Sequence, residues 1–178
     1  MRRGSAPPVG SPSMTRDSAF TSASGNGTLF SPEEVRSLME VEFHRARRYG
    51  FPVCCLAVRP DRIEEIALFH GQESRNAVLQ AVVDIVRRTI RAGDLLGYAE
   101  QDRLILLLPH LPKESFGFLC ERILKAARSL EFDAGRSTHR TTLSIGVAHG
   151  DHPEAVALEV MERVALGGLE VAESAGGD

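Results

Sequence analysis

The sequence predicts an α/β sandwich in which a mixed β-sheet is flanked by helices on both faces. Three observations predict it. The apolar run Phe51 to Val58 is too short for a helix and suits a strand buried on both sides. Two further strand-like runs, Asp94 to Tyr98 and Arg103 to Leu108, are separated only by Ala99 to Asp102, the spacing of a hairpin. Amphipathic helical patterns precede, separate and follow these runs. With 178 residues, 43% of them hydrophobic, the chain has material for one core of ordinary size.

Residues 1–28 contain six Ser, four Gly, three Pro, three Ala and three Thr, too little apolar surface to offset ordering entropy. A disordered tail over 1–28 is expected, its Arg2, Arg3 and Arg16 solvated, and an ordered domain over 29–176. Ser31 can cap a helix that starts with Pro32, Glu33 and Glu34 and runs through Val35, Leu38, Met39, Glu42 and Ala46 toward Gly50. The strand that follows stops at Arg59-Pro60. Asp61 to His70 reads as a short helix ending at Gly71. A longer one, Glu73 to Arg91, carries Ala77, Val78, Ala81, Val82, Ile85 and Val86 on one side and ends at Gly93. Pro109 and Pro112 close the hairpin. Lys113 to Leu130 is helical and buries Phe116, Leu119, Cys120, Ile123, Leu124 and Ala127; Glu131 to His139 reads as a loop. Thr141 to Ala148 is a strand, and Pro153 to about Ala172 the last helix.

Lys and Arg total 21 against 24 for Asp and Glu, a net charge of -3 without like-charged blocks, so nucleic-acid and membrane surfaces are not expected as partners. No apolar run reaches the ~20 residues of a membrane helix. No apolar segment follows Met1-Arg2-Arg3 as a secretory signal requires, and a cytoplasmic location is expected. Cys54, Cys55 and Cys120 are odd in number and lack metal-ligand spacing, which reads as reduced, buried thiols. His149, Asp151 and His152 read as a polar turn, because no further ligand lies at a recognisable spacing. Ser144 lacks the preceding Gly of a nucleophile elbow and reads as a strand residue. Arg45, Arg47 and Arg48, with Glu40 and Glu42 nearby, read as a solvated helix face. No metal or cofactor is expected.

Four segments in order resemble the GGDEF domain of bacterial diguanylate cyclases. Glu42 to Gly50 is similar to the end of that family's first helix. Asp94-Leu-Leu-Gly-Tyr-Ala-Glu-Gln-Asp-Arg-Leu-Ile-Leu-Leu-Leu-Pro109 aligns without a gap on the segment from the family's conserved Asp through its signature hairpin. Thr142 to Ala148 resembles the late strand, and Ala165 to Gly176 the last helix. The resemblance implies a nucleotidyl-cyclase-like fold and a place in cyclic di-GMP signalling.

It also implies a degenerate signature, since Glu100, Gln101, Asp102, Arg103 and Leu104 stand at its five positions. In the family two glycines let the hairpin approach GTP and a glutamate helps to hold a divalent metal. Glu100 adds a side chain and a charge there, and Arg103 puts a cation at a ligand position. The family's other metal carboxylate falls on Arg59, which offers no lone pair, and the following family Asp on Asp61. The guanine-reading Asn and Asp fall on Ala67 and Asn76, and a phosphate-contacting Lys on Glu173. Metal-assisted phosphoryl transfer is therefore not expected, and neither is enzymatic activity.

One feature survives: Arg91-Ala-Gly-Asp94 has the Arg-x-x-Asp pattern of the family's inhibitory product site, six positions before Glu100, and Arg122 matches the arginine that completes it. A guanidinium fork can grip a phosphate or the Hoogsteen edge of guanine, and a carboxylate can accept from guanine N1 and N2. The reading is an inactive receptor for cyclic di-GMP through Arg91, Asp94 and Arg122. The alternative is a ligand-free scaffold for protein interaction, its partner unidentified, with a homodimer as a further option. Arg59 and Arg103 are expected to lie together at the former metal position, with Asp61 or Asp102 pairing one of them; holding a phosphate without metal is the alternative for this pair.

Overall fold

The apolar run read as a doubly buried strand lies at the centre of the sheet. In the computed structural model, which describes residues 22–23, 29–30, 32–134, 137–150 and 157–176, the chain runs β1 (Ser22–Ala23), β2 (Leu29–Phe30), α1 (Pro32–Tyr49), β3 (Val53–Pro60), α2 (Ile63–Thr89), β4 (Leu95–Ala99), β5 (Arg103–Pro109), a 3-10 turn (Lys113–Ser115), α3 (Phe116–Ala127), β6 (Glu131–Ala134), β7 (Ser137–Arg140), β8 (Leu143–His149) and α4 (Leu158–Ser174). Most of the segment expected to be a tail, and the turn residues Asp151 and His152, lie outside the described residues. Within that segment Ser22–Ala23 pairs antiparallel with Leu29–Phe30.

The α/β architecture with helices on both faces is as expected, but the sheet is not mixed. Its order is β4-β5-β3-β8, and every neighbouring pair is antiparallel. The helical crossover α2 does join two parallel strands, β3 and β4. The hairpin then folds β5 back between them, so no two neighbours run parallel. Side chains of β3 alternate between two cores. Val53, Cys55 and Ala57 meet α1 and α4 through Met39, Phe43, Met161 and Ala165. Cys54, Leu56 and Val58 meet α2 and α3 through Val82, Val86, Leu119 and Ile123.

The two helices read on either side of Gly71 are present, joined within α2 across a kink where Gly71 at φ 85 and ψ 171 leaves the helical path. Val78, Val82 and Val86 are buried, whereas Ala77, expected on the same side, is exposed. The segment read as the loop Glu131 to His139 contains instead the paired strands β6 and β7. A signal for it was present, since the residues between the arms are Gly-Arg, the Gly-first kind that two-residue hairpins use. Arg140 donates from Nε and Nη2 to Glu131 Oε1 at 3.0 and 2.6 Å and closes the base of this hairpin.

All three cysteines are free; Cys54 and Cys55 are buried, and Cys120, read as buried, is only partly so. Burial pushes the Cys54 thiol up to about 12 and the Cys120 thiol up to about 11, and raises Cys55 as well, so these thiols stay protonated at neutral pH.

Two glycines set helix-to-sheet spacing. A Cβ on Gly97 would lie 3.1 Å from Val35 of α1. A Cβ on Gly146 would run into the backbone of α4 at Ala165 O and Leu169 N, while Gly168 of α4 packs on Gly146 in turn. Backbone atoms cannot yield as side chains do, so Gly146→Ala must lift α4 off β8. A loss of about 3 kcal/mol is expected in urea unfolding, against a small effect for Ala at Gly167, whose Cβ would meet nothing within 4 Å.

Candidate functional site

Two sites flank α2, one near each of its ends. At the first, β3 and β5 finish side by side: Val58 is opposite Leu104, so Arg59 follows beside Arg103. Arg59 is 13% exposed, and each of its three nitrogens donates. Its Nε donates to Gln101 O at 3.0 Å, Nη1 to Glu173 Oε1 at 2.8 Å, and Nη2 to Glu64. Arg103 Nη2 reaches Glu170 Oε1 at 3.4 Å, and its buried Nε has no partner among the described residues.

The expectation that Asp61 or Asp102 pairs with one of these arginines is overturned. Asp61 is bound along the start of β8: its N–H donates to Thr142 O at 2.9 Å, and its carboxylate accepts from Ser144 Oγ at 2.7 Å and from Thr142 Oγ1. Asp102 faces α2, where Arg75 Nε donates to it at 2.9 Å and Arg75 Nη2 makes a second bond. Glutamates from α2 and α4 neutralise Arg59 and Arg103 instead. Glu64, Glu170 and Arg75 were not singled out in the sequence. The available signal was a double reversal of charge, an arginine at Arg59 where the resemblance expects an acid and an acid at Glu173 where it expects a lysine.

The hairpin tip is held from three sides. Gln101 and Asp102 sit at φ 59 and 63, a region that costs side chains other than glycine some strain. Arg59 on the Gln101 carbonyl, Arg75 on Asp102 and Glu170 on Arg103 oppose that strain. Glu100 is exposed. A cavity of about 690 Å³ opens beside this cluster, walled by Arg59, Asp61, Arg62, Phe69, His70 and Thr142 among others; Ala67 and Asn76 do not line it. Asn76 is instead exposed and accepts from Arg75 Nη1 at 3.3 Å.

At the far end of α2, Arg91, Asp94 and Arg122 come together around a second cavity of about 430 Å³. The Arg91 N–H donates to Asp94 Oδ2 at 2.7 Å, and the Asp94 N–H returns a bond to Arg91 O at 3.0 Å. This closed turn fixes the carboxylate. Arg122 Nη2 donates to Thr89 O at 3.3 Å, which holds α3 against the last turn of α2. Burial raises the Asp94 pKa above the ordinary carboxylate value, and the Arg91 N–H and guanidinium offset only part of this.

A four-stranded antiparallel sheet, helices on both faces and a hairpin that overhangs a cleft define the class of nucleotide-cyclase-like signalling domains. The sequence matches the family described as "Diguanylate cyclase, GGDEF domain" over residues 32–176, and the chain belongs to that family. A search of the curated proteins finds no match. Among solved structures, diguanylate cyclase SiaD of Pseudomonas aeruginosa, in complex with its activator SiaC, is similar at 23% identity and TM-score 0.72, over 79% of this chain and 53% of that one. This chain thus spans about half of SiaD's length. The GGDEF domain of DgcB from Caulobacter crescentus in complex with c-di-GMP has TM-score 0.74 at 13% identity, over 82% of this chain and 86% of that one. The FimX GGDEF domain of P. aeruginosa has TM-score 0.74 at 21% identity, over 84% and 91%. At such identities the likeness is one of fold.

Arg59→Ala strips a mostly buried Glu173 of its partner and is expected to cost about 1–3 kcal/mol in denaturant unfolding. The Arg59→Ala/Glu173→Ala double variant should lose less than the sum of the single losses. The sign at Asp94 is opposite. Because its folded pKa is raised, the folded state binds the proton more readily, and stability from this group falls as pH rises through that pKa. Asp94→Asn keeps an oxygen for the Arg91 N–H and carries no charge. At pH 7 it should be at least as stable as the parent, with the gap narrowing as pH falls through the acidic range.

Proposed function

We propose that this domain is a catalytically inactive receptor for cyclic di-GMP, bound through Arg91, Asp94 and Arg122. The observation that carries the reading is the convergence of these three side chains on one cavity, with the Asp94 carboxylate aimed by the Arg91 N–H. A guanine dinucleotide presents phosphate oxygens to arginine forks and N1 and N2 donors to a carboxylate, and this trio has the complementary chemistry. The c-di-GMP held by DgcB supports the ligand class.

Inactivity rests on the chemistry of the first site. A divalent cation needs oxygen ligands. The carboxylates of Asp61 and Glu173 are engaged by Ser144, Thr142 and Arg59, and the Arg59 and Arg103 guanidiniums stand at the two positions where the resemblance expects ligands. The donor set does not fit Mg²⁺, and no catalytic step is assigned to this cleft. Holding a phosphate there is disfavoured too, because each Arg59 nitrogen already donates, to Gln101, Glu173 and Glu64, and two of these partners are carboxylates that neutralise it.

A ligand-free scaffold is the second reading. It is favoured by Leu68 and Phe69, which are 78% and 71% exposed side by side on α2 next to the larger cavity. Calorimetric titration with cyclic di-GMP separates the two. Micromolar binding that is lost in both Arg91→Ala and Asp94→Asn, with no cyclic di-GMP made from GTP and Mg²⁺, is the expected result. Absence of binding by the folded parent protein would leave the scaffold, and dinucleotide synthesis would overturn inactivity.

A further inference from the structure

The smaller cavity holds more than the three residues that the family resemblance implies. Arg88 and Phe118 also line it, and both are exposed. Phe118 leaves 72% of its surface in water, whereas Leu119, Ile123 and Ala127 of the same helix are buried and Phe116, Cys120 and Leu124 partly so. It stands one helical turn before Arg122, on the same face of α3, and the two border one cavity. Arg88 lies in the last turn of α2, and Arg91 follows just beyond the helix end; both line the cavity.

Arg36, Arg59, Arg75, Arg103 and Arg140 each face a carboxylate. The Arg88 and Arg91 guanidiniums donate to no described residue. Three arginines therefore border this cavity against one carboxylate, Asp94, on a chain whose net charge is -3. Its floor is apolar, with Leu111 and Leu119 each 8% exposed and Pro109 and Ile90 beside them. An exposed aromatic ring, uncommitted guanidiniums and an apolar floor suit a ligand that is flat and anionic at once.

We propose that Phe118 is a stacking platform for one nucleobase of a bound guanine dinucleotide, and that Arg88 contacts its phosphate. The proposal rests on the receptor reading and extends it. With the base edge toward Asp94, the ring of Phe118 covers a face of the purine and excludes water from it, while Arg88 and Arg91 neutralise the phosphates. Stacking on an aromatic side chain tolerates Tyr or Trp and does not tolerate an aliphatic chain of similar bulk. That distinction separates a π-face from simple apolar cover.

The test uses cyclic di-GMP with one guanine replaced by 2-aminopurine, whose fluorescence is quenched by stacking, and unlabelled cyclic di-GMP in calorimetry. The full chain is compared with Phe118→Leu, Phe118→Tyr and Arg88→Ala, each checked for folding by circular dichroism. Phe118→Leu should weaken binding roughly ten-fold or more and abolish the extra quenching, while Phe118→Tyr keeps both. Arg88→Ala should weaken binding and flatten its dependence on salt. If the parent binds and Phe118→Leu binds and quenches equally, the stacking role is overturned and the receptor stands. If the folded parent does not bind, both are overturned.

Discussion

The seat of α4 on β8 sets the geometry of the cleft at the ends of β3 and β5. At Gly146 and Gly168 backbone meets backbone, closer than any side chain would permit. That approach fixes the rotation and height of α4, and with them the positions of Glu170 and Glu173 over the ends of β5 and β3. Had the helix stood a methyl group farther away, Arg103 would lose Glu170 and Arg59 would keep only Glu64 of α2. The same helix carries Glu162 to Arg36 of α1 at 2.8 Å, so α4 ties the first helix to the cleft as well.

The cluster that results is a set of cross-links rather than a stability reserve. Partly buried ion pairs gain little net free energy, because desolvation cancels much of the attraction. They do restrict which arrangements are tolerated. Arg59 touches β3's neighbouring hairpin, α2 and α4 together, and Arg75 adds a second anchor from α2 to the hairpin tip. Three elements that enclose a cleft are thereby held at fixed separations by side chains of the protein itself. The strained backbone at Gln101 and Asp102 persists because it is anchored in this way.

The fold was legible in the sequence wherever hydrophobic period and punctuation agreed. Pro32 and Gly50 bracket α1, Gly71 marks the break in α2, and the unbroken apolar run of β3 announces burial on two sides. What sequence missed was of two kinds. Sheet parity depends on which strand is inserted between which, and no local pattern carries that. β6 and β7 follow a weak turn signal with few apolar residues, so period alone could not raise them above a loop. At the sites, Arg91, Asp94 and Arg122 were legible because their spacing is local or tied to a resemblance. The partners of Arg59 were not, because Glu64 and Glu173 lie on two helices and come together only through tertiary packing.

The guanidiniums of Arg88 and Arg91, which donate to no described residue, have a kinetic consequence. Charges that are not spent on internal partners project their field into solvent over about a Debye length, roughly 8 Å at physiological ionic strength. The chain as a whole carries a net charge of -3. A small dianion diffusing past is therefore turned toward one face and repelled from others, and its capture rate rises without any added contact in the bound state. For a molecule read at low concentration, the speed of encounter would be set by these arginines before recognition begins.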